Sequence, residues 1–188
     1  MLAGVAEYLA AEHGIEVVGT LGFENTYTLA MRSDDAQRRG VDTLTELARH
    51  ASELEIGGDY EFFARAEWRA LESVYGLAFR KQRAMDGALM YQAVAGGEVD
   101  VISAYSTDGR IASLGLRVIR DDRGVIPPYD AIVLASPMLS RDRPDVVEAL
   151  RRLAGTIDAA RMQEMNDAVD AGGQAPAAVA RAFLDAMD

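Results

Sequence analysis

The sequence of 188 residues contains no cysteine and only two histidines, His13 and His50. The lack of cysteine excludes disulfides, thiolate catalysis and cysteine-ligated zinc or iron–sulfur centres. The two histidines lie far apart in the chain, so a metal ion would need several carboxylates as well, and no spacing typical of such a site accompanies them. We therefore expect neither a metal nor a cofactor.

The chain also contains fewer basic than acidic residues. The chain has 19 Lys+Arg against 30 Asp+Glu, a formal net charge of −11, and its pI is about 4.6. A chain of this kind offers no basic stripe for a phosphate backbone, so we expect no nucleic-acid partner, and anionic membrane surfaces are disfavoured for the same reason. With 49% hydrophobic and 26% charged residues, the composition is that of a folded globular protein and not of a disordered chain.

Long hydrophobic runs and several catalytic motifs are missing as well. No apolar run approaches the roughly 20 residues of a membrane-spanning helix. The N-terminal stretch is acidic and lacks a cleavage site, so we expect no signal peptide in this chain. Phosphate-binding glycine loops, HExxH and GxSxG are not found. These features point away from the commonest enzyme classes and do not by themselves indicate a function.

The hydrophobic periodicity alternates between strand and helix and predicts an α/β fold. Thr43 and Glu46 have the spacing of a capping box at the start of a helix, and Gly22 is expected to end the first strand. The predicted strands are 15–18, 27–31, 54–58, 99–102 and 131–135. The predicted helices are 2–12, 44–52, 60–75 and 85–93, with further helices from 140 to the C-terminus.

Three tyrosines, Tyr27, Tyr105 and Tyr129, lie at the junctions between predicted elements and turns, where binding groups are often carried. Aromatic rings at such positions can surround a quaternary ammonium ion, which has no N–H to donate and is attracted to ring faces. Taken alone, the three tyrosines are better explained by ordinary packing, and Tyr60 and Tyr91, which fall on predicted helices, are expected to be partly buried by packing. A small hydrolase or transferase using Asp100, Asp108 and Ser106 is a further reading of the same region.

A family resemblance favours the interpretation of the three tyrosines at these junctions as a binding site for a quaternary ammonium ion. The stretch Leu21–Met31 (LGFENTYTLAM) resembles a segment of the glycine betaine/choline-type substrate-binding proteins of ABC importers. The stretch Asp59–Arg65 (DYEFFAR) is similar to the D-x-EF-x-x-R pattern of that family, and Gly97–Ile111 (GEVDVISAYSTDGRI) is similar to its most specific signature. Pro127-Pro128-Tyr129 and Met162–Asn166 (MQEMN) match in the same order along the chain.

The resemblance implies a periplasmic-binding-protein fold of type II and a role in uptake of osmoprotectants, without enzymatic activity. It implies that Tyr27, Tyr105 and Tyr129 form an aromatic cage and that Arg65 grips the carboxylate of the ligand. Asn25 is expected to approach the ligand head group. A planar guanidinium suits a carboxylate and ring faces suit a trimethylammonium group, whereas an ion pair with Glu61 is the structural alternative for Arg65.

The resemblance also implies a domain organisation and a set of partners. Residues 22–127 correspond to a complete second lobe, whereas 1–21 and 128–188 correspond to the returning part of a first lobe that lacks its N-terminal portion. We therefore expect self-association through apolar surface left uncovered by the incomplete lobe. A membrane permease as partner and an extracytoplasmic location are implied too. An effector-sensing domain of a regulator is a third reading, because it shares the fold.

Overall fold

The computed structural model describes residues 2–187. The chain forms two compact units, and it passes between them three times. The first unit comprises the residues up to Asn25 together with Tyr129–Met162, and the second comprises Thr26–Pro128 together with the residues from Gln163 onward.

Helices and strands alternate through most of the chain, and the predicted α/β class is confirmed. The helices are α1 (Leu2–His13), α2 (Ser33–Arg39), α3 (Leu44–Ala48), α4 (Ala66–Tyr75), α5 (Gly87–Ala95), α6 (Arg110–Ser113), α7 (Pro137–Asp142), α8 (Pro144–Arg151), α9 (Ala159–Asp170) and α10 (Pro176–Asp185). The strands are β1 (Glu16–Glu24), β2 (Tyr27–Arg32), β3 (Glu55–Gly58), β4 (Lys81–Ala84), β5 (Val101–Tyr105), β6 (Leu116–Ile119) and β7 (Asp130–Ala135). Short 3-10 turns occur at Ala51–Glu53 and Phe62–Ala64.

The first unit is built on two antiparallel strands, β1 and β7. Val18, Ala135 and Val147 form its small buried core. The expectation that Gly22 ends the first strand was wrong, since β1 continues to Glu24. Gly22 has a φ of 116°, a region that glycine enters without steric cost, and the register shifts between Thr20 and Glu24. The glycine therefore bends the strand without terminating it.

The second unit contains a five-stranded mixed sheet in the order β4-β3-β5-β2-β6. β2 is antiparallel to β5 and β6, whereas β3 is parallel to β4 and β5. Helices cover both faces of the sheet, and this leaves Leu29, Ala30 and Met31 of β2 fully buried. A strand buried on both faces is expected to be largely apolar, and these three residues of β2 are.

The sequence analysis did not predict two strands of this sheet, and two helices, α3 and α4, are shorter than predicted. β4 has the polar sequence KQRA and lies at an edge, where charged side chains protect the unpaired backbone. β6 is only four residues long. The capping box of Thr43 and Glu46 is confirmed, but α3 ends at Ala48 and a 3-10 turn follows.

The part of the chain from Gln163 onward, which includes most of α9 and all of α10, belongs to the second unit, and α9 is bonded there to the loop after β5. The side-chain amides of Gln163 and Asn166 donate to the backbone carbonyls of Ser106 and Thr107, at 2.6 and 2.7 Å. The sequence interpretation instead grouped all of 128–188 with the first lobe. The identification of these units with the lobes of the family stays a prediction. Within residues 2–187, no helix has the length and apolar character needed to cross a bilayer.

Candidate functional site

Tyr27 and Tyr105 are brought together by the register of the sheet. Tyr27 is the first residue of β2, Tyr105 is the last residue of β5, and they are direct partners across the two antiparallel strands. Their ring centres are 4.8 Å apart, and the Tyr105 hydroxyl donates to the Tyr27 hydroxyl at 2.8 Å. Tyr27 is buried, while 42% of Tyr105 is exposed. The pair thus presents one anchored ring and one accessible ring.

The phenol of Tyr27 is held in its neutral form. Burial raises its pKa well above the ordinary value of 10.0, and the hydrogen bond with Tyr105 acts in the same direction. Phe62 packs against Tyr27 with a ring-centre distance of 5.7 Å and is itself fully buried. The phenol of Tyr27 is therefore uncharged at physiological pH, and the orientation of its ring is fixed by the core behind it.

Arg65 reaches this aromatic pair from the start of α4. The preceding 3-10 turn is fixed by Asp59, whose Oδ1 accepts hydrogen bonds from the backbone N–H groups of Glu61 and Phe62, both at 2.8 Å. The turn places the Arg65 guanidinium carbon 4.8 Å from the centre of the Tyr27 ring. Sequence reasoning singled out Arg65 but not Asp59, which positions the turn that carries it.

The guanidinium of Arg65 has hydrogen-bonding capacity left over. Its Nη2 lies 3.4 Å from Glu61 Oε2, a long and largely exposed ion pair. Its Nε is buried and has no hydrogen-bond partner among the described residues. A buried donor without an acceptor raises the free energy of the protein. A ligand carboxylate that reaches this nitrogen would therefore bind more strongly than one that makes an exposed contact.

The other two candidate residues, Asn25 and Tyr129, belong to the first unit. The backbone N–H of Asn25 donates to the backbone carbonyl of Tyr129 at 3.2 Å, and the backbone N–H of Tyr129 lies 3.4 Å from Glu24 Oε2. Both residues therefore lie at the same end of the β1–β7 pair, where the chain leaves and re-enters the unit. The ring of Tyr129 is 40% exposed.

A cavity of about 60 Å³ adjoins the tyrosine pair within the second unit. Its wall includes Tyr27, Tyr105, Tyr91, Asp108 and Arg110. Sequence reasoning assigned Tyr91 to packing and considered Asp108 only for an enzyme. A helical tyrosine gives no local signal of a cavity, so these residues could be recognised as neighbours of the site only from the fold.

The carboxylates considered for catalysis are already engaged. Oδ2 of Asp100 accepts a hydrogen bond from the backbone N–H of Glu55 at 2.8 Å. Asp108 is bound by Arg110 in a two-pronged ion pair, with Nε 3.0 Å and Nη2 2.7 Å from its oxygens. Burial alone would raise the pKa of Asp108, but the hydrogen bonds and charge of Arg110 outweigh it and lower the pKa below 3.8. Such a group is a poor proton carrier near neutral pH.

The hydroxyl oxygen of Ser106 takes part in the hydrogen bonding of the sheet. Its Oγ accepts a hydrogen bond from the backbone N–H of Thr26 at 3.1 Å, which ties β2 to the loop after β5. His50 lies before the 3-10 turn Ala51–Glu53, with its backbone in the hydrogen-bonding pattern of that turn. No group of three His, Asp or Glu side chains within residues 2–187 is arranged to hold a metal ion.

Comparison with curated proteins gives relatives at about one-third identity. The chain is 33% identical over 165 residues to the carnitine transport binding protein OpuCC of Listeria monocytogenes, covering 87% of this chain and 54% of that protein. It is 32% identical over 171 residues to the ergothioneine transport permease/ergothioneine binding protein EgtU of Helicobacter pylori, covering 90% of this chain and 31% of that protein. The chain thus spans between about a third and about half of these relatives.

Solved structures share the fold closely. A glycine betaine/carnitine/choline ABC transporter structure superposes with a TM-score of 0.94 at 31% identity, covering all of this chain and 70% of that one. The ligand-free YehZ structure from Escherichia coli superposes with a TM-score of 0.82 at 26% identity, covering 97% of this chain and 69% of that one. The periplasmic-binding-protein fold implied by the sequence motifs is therefore confirmed.

The family assignment rests on nearly the entire sequence. A single family model, described as the substrate binding domain of ABC-type glycine betaine transport systems, matches residues 1–186. The motifs around Tyr27, Arg65 and Tyr105 lie within this match, as do the two units of the fold. The chain belongs to the OpuAC family of substrate-binding domains.

Proposed function

We propose that this chain is the ligand-binding part of an ABC importer for quaternary ammonium osmoprotectants such as glycine betaine or choline. The observation that carries the proposal is the paired rings of Tyr27 and Tyr105 beside the guanidinium of Arg65. A tetraalkylammonium ion cannot donate hydrogen bonds, and stacked phenol faces attract it without requiring any. Membership of a transport family supports binding and uptake, without a chemical step.

Arg65 is proposed to bind the carboxylate of a zwitterionic ligand. Its buried, unpartnered Nε supports this role, as does the weakness of its ion pair with Glu61. The guanidinium plane can meet both carboxylate oxygens at once, which a lysine cannot do. A ligand without a carboxylate, such as choline, would gain little from Arg65.

Tyr129 and Asn25 are proposed to complete the site from the first unit, with Tyr129 as a third ring and Asn25 near the head group. Ligand binding would then draw the two units together and favour a closed form that a membrane permease recognises. A membrane permease as partner and an extracytoplasmic location are also part of the proposal, and the family assignment supports them.

Isothermal titration of the chain with glycine betaine and with choline tests the proposal. Saturable heat with either ligand is the expected result, and a preference for glycine betaine would indicate that Arg65 contributes. A folded chain that binds neither ligand, nor tetramethylammonium, would contradict it. Circular dichroism on the same sample establishes that the chain is folded.

The enzyme reading is less well supported, because both of its carboxylates and its serine are committed to structural hydrogen bonds. The regulator reading shares the fold, and it too would place a small effector at the tyrosine pair. Binding alone does not separate a regulator from a transporter. Dependence of ligand uptake in cells on this chain would favour transport.

A further inference from the structure

The cavity beside Tyr27 and Tyr105 lies wholly within the second unit, and it contains more than aromatic surface. Tyr91 and Met90 of α5 and Ser103 of β5 also contribute to its wall. Its volume of about 60 Å³ is several times the roughly 10–15 Å³ of accessible space that one water molecule requires. A hydroxyl, carbonyl or thione substituent would fit into it.

Two buried hydroxyl donors in this wall are poorly satisfied. Tyr91 is only 2% exposed, and its hydroxyl makes no hydrogen bond of normal geometry within residues 2–187, although the neighbouring Asp108 carboxylate adds to the effect of burial in raising the pKa of this phenol. Ser103 is 1% exposed, and its hydroxyl donates to the thioether sulfur of Met90 at 3.4 Å. Sulfur of this type is a weak acceptor, and an unsatisfied buried donor costs about 1–3 kcal/mol.

The charged groups of the same wall, in contrast, are engaged, since Asp59 accepts hydrogen bonds from two backbone N–H groups and the other two groups pair with each other. Arg110 forms the two-pronged ion pair with Asp108, and its guanidinium carbon lies 3.8 Å from the centre of the Tyr91 ring. The pair fixes the Tyr91 ring and contributes no net charge to the cavity. The cavity therefore offers hydrogen-bond donors and does not require the ligand group that enters it to be charged. Such a cavity suits a neutral hydrogen-bond acceptor.

We propose that this cavity is a subsite for a hydrogen-bond-accepting substituent of the ligand, with the Tyr91 hydroxyl as the specificity-determining donor. The inference rests on the proposed function, since the ammonium group must lie against Tyr27 and Tyr105 for a substituent to enter. The preferred ligand class is then a quaternary ammonium compound larger than glycine betaine that carries a hydroxyl, carbonyl or thione. Ser103 would act as a second donor once the acceptor is bound.

Tyr91→Phe removes the proposed donor and keeps the ring that stacks beneath Arg110. Titration calorimetry of the full chain would use tetramethylammonium as the bare head group, glycine betaine as the short zwitterion and carnitine as the hydroxyl-bearing compound. We expect Tyr91→Phe to weaken carnitine binding by about three- to tenfold, the loss of one neutral hydrogen bond. Affinities for tetramethylammonium and glycine betaine should stay within about twofold.

Tyr75→Phe is the matched control, since it also removes a buried phenol hydroxyl. That hydroxyl donates to Asp121 and accepts from the backbone N–H of Arg123 at 2.6 Å, away from the cavity wall. The control should change the unfolding midpoint without changing ligand preference. A thermal melt of each variant reports whether it folds.

The outcomes distinguish failure of the proposed subsite from failure of the proposed function. If Tyr91→Phe weakened the binding of all three ligands equally, Tyr91 would be a purely structural residue and the subsite would be overturned. An unchanged affinity for carnitine would also overturn the subsite, because the cavity would then hold only water. Binding of tetramethylammonium with no tighter binding of carnitine would also overturn the subsite but leave the proposed function standing. A wild-type chain that binds none of the three would overturn both.

Discussion

Tyr27 and Tyr105 occupy opposite positions on adjacent antiparallel strands, and their hydroxyl oxygens are 2.8 Å apart. Residues directly opposed in such a pair project to the same side of the sheet, so the two rings are held together although they are 78 positions apart in the sequence. One consequence is that the site is anchored to the most buried strand of the second unit. Its rings are therefore positioned before any ligand arrives, which lowers the entropic cost of binding.

The ring of Tyr105, more than its hydroxyl, should determine binding of quaternary ammonium ligands. We expect Tyr105→Ala to weaken choline binding by about tenfold or more, in line with a cation–π contribution of up to about 2 kcal/mol. Tyr105→Phe should retain most of the affinity, although it loses the hydrogen bond to Tyr27. Calorimetric titration of both variants provides the test, and equal loss in both would point to the hydroxyl or to packing.

Arg65 should matter only for ligands that carry a carboxylate. Arg65→Ala is expected to weaken glycine betaine binding by about tenfold or more and to leave choline nearly unchanged, because the lost contact is a charge-assisted hydrogen bond. Arg65→Lys retains the charge without the planar fork and should give an intermediate affinity. Parallel titrations of each variant with glycine betaine and with choline measure the ratio of the two affinities. A loss of the same size for choline would assign Arg65 to supporting Tyr27.

Binding should be independent of pH from about pH 6 to about pH 9. Neither a tetraalkylammonium ion nor arginine titrates in this range, and the raised pKa of Tyr27 keeps that phenol neutral. Titrations across the range in one buffer system would show a flat profile. A bell-shaped dependence would instead favour an acid–base role for carboxylates, as the enzyme reading requires.

Stability should fall in acid partly through Asp108. Its folded-state pKa lies below its ordinary 3.8, so the unfolded chain binds the proton more readily. The stabilisation is therefore complete above about pH 4 and is lost as the pH drops through the folded-state pKa. Thermal melts between about pH 2 and pH 6 should show a smaller acid-induced decrease for Asp108→Asn than for the wild type. An unchanged pH dependence would exclude this contribution.

Gly109 should tolerate no side chain, because α9 packs directly on it. A Cβ at this position would lie 2.6 Å from Asp167 Cα, so Gly109→Ala is expected to destabilise the second unit by about 1–3 kcal/mol. Gly4→Ala is the control. That Cβ meets nothing within 4 Å in α1, and the change should stabilise by about 0.5–1 kcal/mol. Urea unfolding of both variants measures the difference, and equal midpoints would contradict the close packing.

Self-association through the first unit remains a prediction. Tyr8, Leu134 and Met138 of this unit are 59%, 45% and 66% exposed, and its buried core is small. Apolar surface of this kind favours contact with another chain. Sedimentation velocity over a range of concentrations should reveal dimers or larger species. A monomer at every concentration would contradict the expectation.

Local signals in the sequence were sufficient for part of the site. The junction between a buried apolar strand and a turn marked Tyr27 and Tyr105, and the spacing of Thr43 and Glu46 marked a helix start that the structure confirms. The prediction of a single helix over 60–75 was less accurate. That stretch splits into a 3-10 turn and α4 because Asp59 fixes the backbone of the turn, and Tyr60, expected to be partly buried, is 72% exposed.

The sequence by itself determined the α/β class, the acidic surface, the family motifs and the identities of the candidate rings, because these depend on composition and on short-range order. Only the tertiary structure decided that Tyr27 and Tyr105 are cross-strand partners, that Asp100 and Asp108 are committed to structural bonds, and that Tyr91 adjoins a cavity. The physical reason is that strand register and side-chain burial arise from packing between residues distant in sequence. No local pattern carries that information.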